Sequence, residues 1–196
     1  MSCPAKDKLR KAMLALRAKE TERQEKSDLI RQTLCAQTEF CTARTIMCYA
    51  STAAEVDTMK LIDESLDLGK LVLMPFMSGE EIRLSVLRSL AELSPGAWGV
   101  LEPESGLRNI PDRQAVAADV ELAVIPGVAF DRRGGRLGRG KGCYDRFLRQ
   151  LRPGAVLIGL AFESQMTPDV YMEPHDQRVD MIITERQIYY CRPKRA

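Results

Sequence analysis

RTIMCYASTAAEVDTMKLIDESLDLGKLVLMPF, residues 44–76, carries the pattern that decides the fold. Its two ends, residues 44–49 and 70–76, are short apolar runs bounded by turn residues, which is typical of buried strands in a parallel sheet. The apolar residues between them recur at roughly helical spacing and are Val56, Met59, Ile62 and Leu66. The stretch therefore predicts a strand, a helix and a second strand.

The same alternation extends along the chain. Helical periodicity over residues 4–37, broken near residues 19–26, predicts a pair of helices before this unit. Further strands are predicted at residues 82–88, 122–125, 156–162, 181–184 and 188–191, with a long loop at residues 94–112 and an amphipathic helix bearing Tyr144, Phe147, Leu148 and Leu151. We expect a single α/β domain over residues 1–196, with an open, mostly parallel sheet flanked by helices in a Rossmann-like three-layer arrangement.

Composition narrows the class of protein. Lys and Arg number 29 against 27 Asp and Glu, so no overall basic field favours nucleic acid as a partner. The six cysteines lack the CxxC pairing and the histidines typical of a zinc site, which favours reduced thiols. No apolar run is long enough for a secretory signal or a membrane span. We expect a cytoplasmic monomer that acts on small molecules.

The stretch DRRGGRLGRGKGCYD, residues 131–145, follows a predicted central strand and precedes a helix. Open α/β sheets bind ligands at that place. Its glycines allow close approach of the backbone to a ligand, and its basic residues add charge-assisted hydrogen bonds. The stretch therefore predicts a site for phosphate, with a flexible surface loop as the alternative.

Gly135 and the residues up to Lys141 match the first seven positions of a Walker A loop, but Gly142 replaces the Ser or Thr that would bind magnesium. A nucleotide-bound metal would then need another ligand, and Asp145, expected to face solvent, is the nearest. The alternative is an ordinary helical pair between Asp145 and Arg149.

RLGRGKGCYD, with AVIPGVAFD before it, resembles the signature of the 5-formyltetrahydrofolate cyclo-ligase family. The segments KDKLR, AEVDT, AWGVLEP and EPHDQRVDMIITE follow the family's order and spacing, so the resemblance covers nearly the whole chain. It implies conversion of 5-formyltetrahydrofolate to 5,10-methenyltetrahydrofolate, with ATP as co-substrate and Mg²⁺ as the metal. The implied products are ADP and phosphate.

The resemblance also implies site residues. Those matching the nucleotide-binding pattern are Lys6, Arg10, Arg136, Leu137, Gly138, Arg139, Gly140, Lys141, Gly142, Cys143 and Tyr144. Those matching the folate pocket are Ala50, Glu55, Trp98 and Tyr144, those matching metal ligands are Asp145 and Asp180, and those assigned to catalysis are Arg139, Lys141 and Glu55. Cys143 departs from the family, which usually has an aromatic residue there.

Several of these residues have a plainer interpretation without the resemblance. Lys6 and Arg10 would belong to a solvated basic face, and Glu55 to a helix start favoured by the helix dipole. Trp98 could instead seal its loop onto the core, and Asp180 could be the polar start of a strand. His175, the sole histidine, is interpreted as a structural hydrogen-bonding residue, with acid–base catalysis as the alternative.

The sequence is compatible with two other functions. The chain could be a non-catalytic relative that binds a nucleotide or RNA through the same basic loop. It could also be an ATP-dependent kinase or ligase that acts on another small acid.

Overall fold

The computed structural model describes residues 3–96 and 99–191, and its helices and strands alternate along the chain. The α-helices are α1 (Pro4–Ala18), α2 (Arg23–Cys35), α3 (Thr38–Thr42), α4 (Met59–Asp67) and α5 (Cys143–Leu148). The strands are β1 (Thr45–Met47), β2 (Leu71–Ser78), β3 (Glu81–Leu87), β4 (Leu93–Pro95), β5 (Leu101–Pro103), β6 (Gln114–Ala115), β7 (Leu122–Ile125), β8 (Ala129–Asp131), β9 (Arg136–Leu137), β10 (Val156–Leu160), β11 (Met166–Thr167), β12 (Met181–Ile183) and β13 (Ile188–Tyr190).

The central sheet has eight strands in the order β13-β12-β10-β7-β1-β2-β3-β6. The five inner strands from β12 to β2 run parallel, whereas β13, β3 and β6 pair antiparallel at the two edges. The predicted α/β class with a mostly parallel sheet is confirmed. The apolar runs that predicted the inner strands lack alternation because both of their faces are covered.

Separate hydrophobic clusters account for that covering. One contains Ile30 and Leu34 of α2, Phe40 of α3 and Leu61 and Ile62 of α4. A second cluster contains Phe147 and Leu148 of α5 together with Phe130 of β8. The helix α1 joins a smaller cluster, in which Met13 meets Val128, Leu137 and Val170.

The strand order changes direction between β1 and β7. The chain leaves β1 through α4 and enters β2 on one side, whereas it leaves β7 through α5 and enters β10 on the other side. Because the two connections diverge, a crevice opens beyond the carboxyl ends of β1 and β7. Such a switch point is where open α/β sheets bind ligands.

Three predicted elements differ from the structure. The loop predicted at residues 94–112 overlaps a β-hairpin formed by β4 and β5, which pair antiparallel. The glycine-rich stretch does not lead straight from β7 into a helix, because β8 and β9 form a hairpin there and β11 pairs with β8. The helix α5, which follows this stretch, ends at Leu148. Leu151 therefore lies beyond the helix, where it packs against the second hydrophobic cluster.

Within the described residues, no helix has the length and apolar character needed to cross a bilayer.

Gly159, in the central strand β10, lies against the buried Phe130 ring, and a Cβ built at this glycine would meet Phe130 Cε1 at 2.6 Å. We expect Gly159→Ala to lower the free energy of unfolding by roughly 1–3 kcal/mol, because the core has no room for the methyl group. Gly106→Ala is the control, since nothing lies within 4 Å of its added Cβ. Urea denaturation measures both, and equal stabilities would contradict this packing.

Candidate functional site

A cleft lies at the switch point between β1 and β7, with a cavity volume of about 170 Å³. This volume slightly exceeds that of a cavity, roughly 150 Å³, that holds a benzene ring, so the cleft suits a ring system. The residues that line it include Tyr49, Ala50, Glu55, Phe76, Ile82, Leu101, Glu102, Pro126, Arg139 and Tyr144. The structure therefore brings Ala50, Glu55, Arg139 and Tyr144 together, as the sequence predicted.

Glu55 is held between two guanidinium groups. Its Oε1 accepts a hydrogen bond from Arg139 Nη2 at 3.0 Å and lies 3.6 Å from Arg17 Nη1. Its Oε2 accepts from the Thr52 amide at 3.0 Å. The Glu55 side chain is 10% exposed, so this carboxylate is fixed at the cleft wall and does not belong to a solvated helix start.

Arg17 was not singled out from the sequence, although it belongs to this arrangement. Its side chain is only 4% exposed, and Nη1 also donates to the Gly127 carbonyl at 3.2 Å. Burial lowers the pKa of the Arg17 guanidinium, while the Glu55 charge acts to raise it. An isolated buried charge would be costly, so Glu55 is the counter-ion that allows α1 to pack here.

Residues 138–142 form an irregular segment before α5, here called the glycine loop. Arg10 Nε donates to the Gly138 carbonyl at 2.9 Å. Gly140 has φ +99°, and a Cβ added to it would lie 3.3 Å from the Arg10 guanidinium. Arg10 is therefore pressed against the backbone of the loop, as the predicted phosphate site requires, and is not part of a solvated face.

The resemblance to a Walker A loop does not extend into the structure. The Asp131 carboxylate is fully buried and accepts from the amides of Arg133 and Gly135, which fixes the turn between β8 and β9. Leu137 in β9 is buried in the core cluster around Met13. Residues 131–137 thus build a hairpin, and only the glycine loop is free of regular structure.

Arg136 is turned inward instead of toward the cleft mouth. Its side chain is 2% exposed, its Nη2 donates to Asp145 Oδ1 at 2.9 Å, and its guanidinium lies 5.5 Å from the centre of the Tyr144 ring. Burial raises the pKa of the Tyr144 hydroxyl. Tyr144 both lines the cleft and packs against the second core cluster, which fits the mixed role expected for it.

The two acids predicted to bind metal are placed differently. Asp145 is 14% exposed and also accepts from the Gln177 amide at 3.2 Å, so the expectation that it faces solvent is wrong. Asp180 accepts from the Leu157 amide at 2.9 Å near the amino end of β10. A metal held by both Asp145 and Asp180 stays a prediction.

Asp176 lies next to Gln177, whose backbone amide donates to Asp145. Asp176 Oδ2 lies 2.5 Å from Lys6 Nζ, and Glu173 Oε2 lies 2.7 Å from the same atom. Burial acts to lower the pKa of Lys6, but these two hydrogen bonds outweigh it, and the pKa is raised. Lys6 is therefore buried in an ionic cluster and is not part of a solvated face.

The remaining predicted residues surround this centre. Lys141 is exposed, and Cys143 Sγ lies 3.6 Å from Arg146 Nη2. His175 is 60% exposed, lies 3.5 Å from Asp176 Oδ1, and is not among the cleft residues, which favours its structural interpretation. Trp98 lies outside the described residues.

The other arginines near the glycine loop have protein partners. Arg133 pairs with Asp169, Arg149 donates to the His175 carbonyl, and Arg152 pairs with Glu121. Most arginines of the basic cluster that the sequence shows are therefore used in structural contacts. Arg10 contacts Asp7 and the Gly138 carbonyl, Arg139 pairs with Glu55, and Lys141 is exposed.

Comparison with known proteins identifies the family that the motifs resemble. The sequence model of the 5-formyltetrahydrofolate cyclo-ligase family matches residues 2–185. The 5-formyltetrahydrofolate cyclo-ligase of Mus musculus is 30% identical over 188 residues, which cover 90% of this chain and 90% of the mouse protein. The protein of the same name from Mycolicibacterium smegmatis is 28% identical and covers 95% of this chain and 97% of its own.

Solved structures give the same result. The 5,10-methenyltetrahydrofolate synthetase of Aquifex aeolicus has a TM-score of 0.83 and 32% identity, covering 97% of this chain and 95% of that one. The synthetase of Mycoplasma pneumoniae has a TM-score of 0.74 and 26% identity, covering 92% and 98%. Sequence and fold therefore agree over nearly the whole chain.

The pair between Arg136 and Asp145 predicts a loss of stability in Asp145→Asn. The substitution leaves a buried guanidinium without its counter-ion, and we expect the free energy of unfolding to fall by about 3 kcal/mol. Asp112→Asn is the matched control, because it breaks the exposed pair with Arg88, and it should leave the stability nearly unchanged. Urea denaturation provides both values, and equal effects would show that the buried pair is not needed.

Proposed function

The chain belongs to the 5-formyltetrahydrofolate cyclo-ligase family, and from this premise we propose that it converts 5-formyltetrahydrofolate to 5,10-methenyltetrahydrofolate at the expense of ATP. The observation that carries the proposal is the cleft at the switch point. There Arg139 of the glycine loop pairs with Glu55, beside a cavity large enough for a ring system. A reduced pterin would occupy the cavity, and the triphosphate would lie along the loop.

The nucleotide side fits an anion. Arg10 donates to the Gly138 carbonyl, and a Cβ added to Gly140 would lie 3.3 Å from the Arg10 guanidinium, so a side chain at Gly140 would disturb this contact. Arg139 is 55% exposed, and Lys141 is exposed beside it. These groups would neutralise charge on a transferring phosphoryl group, which is the main task of the protein in such reactions.

Magnesium fits this site as part of the Mg–ATP substrate. Among the described residues, no group of three or more His, Cys, Asp or Glu side chains forms a cage for a metal ion. Magnesium usually keeps its waters and needs only one or two carboxylates besides the substrate phosphates. Asp145 and Asp180 would supply them, as the resemblance implies, and Asp145 is already held in place by Arg136.

The proposed reaction needs no covalent bond to the enzyme. The formyl oxygen attacks the γ-phosphorus, the bond from that phosphorus to the bridging oxygen breaks, and ADP leaves. The neighbouring folate nitrogen then bonds to the formyl carbon and loses its proton, and the carbon–oxygen bond breaks as phosphate departs with that proton. The chain's contribution is to position the two substrates and to stabilise phosphoryl charge.

The proposal is tested by mixing the purified protein with 5-formyltetrahydrofolate and Mg–ATP while following the near-ultraviolet absorbance of the methenyl product. We expect the absorbance to rise in the complete mixture and to stay flat when folate, ATP or magnesium is omitted. Intact ATP binding without turnover would overturn the proposal in favour of a non-catalytic relative. ATP hydrolysis that folate does not stimulate would favour a kinase or ligase acting on another small acid.

Glu55→Gln should impair use of the folate more than use of ATP. Removing a charged hydrogen-bonding group costs roughly 1.5–3 kcal/mol, so we expect kcat/KM for 5-formyltetrahydrofolate to fall on the order of 10- to 100-fold. The KM for ATP should change much less. Glu104→Gln, at an exposed site, is the control, and comparable losses for both substrates would mean that Glu55 only supports the fold.

A further inference from the structure

The cleft contains a second carboxylate besides Glu55. Glu102 lies in β5, lines the cleft beside Phe76 and Leu101, and has a side chain only 6% exposed. The turn after β4 packs directly against it, since a Cβ added to Gly96 would meet Glu102 Oε2 at 2.4 Å. A charged group so deeply placed in a largely apolar cleft needs a reason, because burial of a carboxylate is costly.

The partners of Glu102 account for only part of its hydrogen-bonding capacity. Oε1 accepts from the Met77 amide at 3.3 Å, and Oε2 accepts from Arg108 Nη2 at 3.2 Å. A carboxylate offers about four lone-pair sites, so two donors leave room for more. Arg108 is itself fixed, because Nε donates to the Pro103 carbonyl at 2.7 Å and the guanidinium lies 4.7 Å from the Phe76 ring centre.

Glu55 is engaged differently. Its oxygens face two guanidinium groups and one amide, and Arg139 links it to the glycine loop, where the phosphates are proposed to lie. Glu102 instead lies in β5 and accepts a hydrogen bond from the Met77 amide near the end of β2. The two carboxylates therefore belong to different parts of the cleft, one linked to the phosphate side and one to the β2 side.

We propose that Glu102 determines specificity by binding the 2-amino group and the neighbouring N3–H of the pterin ring. The inference rests on the proposed function and identifies the part of the substrate that this residue recognises. Two adjacent N–H donors on a flat ring match the two oxygens of a carboxylate, as a guanidinium does. With that edge at Glu102, the far side of the ring, which carries the formyl group, is directed toward Glu55, Arg139 and the glycine loop.

The first test needs no variant. The unmodified protein is assayed with 5-formyltetrahydrofolate and with the analogue that lacks the 2-amino group, both with Mg–ATP. We expect kcat/KM to be on the order of 10- to 100-fold lower for the analogue, since one hydrogen bond to a charged group is lost. Equal use of the two compounds would overturn the assignment while leaving the proposed function intact.

The second test asks whether the discrimination depends on Glu102. Glu102→Gln should lose most of the preference for the 2-amino compound, because its amide replaces one of the two acceptor oxygens with a donor that opposes the N–H groups of the ring, and Glu102→Asp should recover part of it. Glu104→Gln, two residues away and exposed, should keep the full preference. Loss of activity with an unchanged preference would mean that Glu102 only stabilises the hairpin.

Calorimetric titration with 5-formyltetrahydrofolate, without nucleotide, separates the two proposals. Binding that weakens in Glu102→Gln but not in Glu104→Gln supports the recognition role, even if no turnover is found and the proposed reaction fails. Binding of equal strength in both variants overturns the recognition role. Absence of both binding and turnover in the unmodified protein overturns both proposals.

Discussion

The charge cluster of Arg17, Glu55 and Arg139 holds the parts of the site together. Arg17 brings a buried positive charge from α1 to the end of β7, where it also binds the Gly127 carbonyl. Glu55 compensates that charge from the segment after β1, and Arg139 extends the cluster to the glycine loop. Removing Glu55 would leave the buried Arg17 charge uncompensated, whereas Arg139 is 55% exposed and connects the cluster to the glycine loop.

A second ionic arrangement supports the nucleotide side in the same manner. Arg136 is buried under the glycine loop and paired with Asp145, while Lys6 is paired with Glu173 and Asp176. A hydrogen bond from the Gln177 backbone amide to the Asp145 carboxylate connects these two sets of ion pairs. Basic residues that the sequence suggests for direct contact with phosphates are thus partly used to fix the acids beside the loop.

Sequence patterns predicted the secondary structure correctly wherever local periodicity and tertiary burial agree. The inner strands and the helices of the first half appeared as predicted, because a strand buried on both faces is apolar throughout and a covered helix is apolar on one face. The hairpin of β8 and β9 was missed because its residues read as a glycine-rich loop, and what holds it is the buried Asp131 carboxylate bound to amides of its own turn. Such a contact has no periodic signature.

The sequence by itself determined the α/β class, the motif at the glycine loop and the family, since these depend on patterns and residue types that are contiguous in the chain. Only the tertiary structure decided which side chains meet. Asp145, expected to face solvent, is paired with the buried Arg136, and Lys6 is held by Glu173 and Asp176. The structure also places Glu102 in the cleft and Arg17 against Glu55, because side chains far apart in sequence meet only when packing brings their elements together.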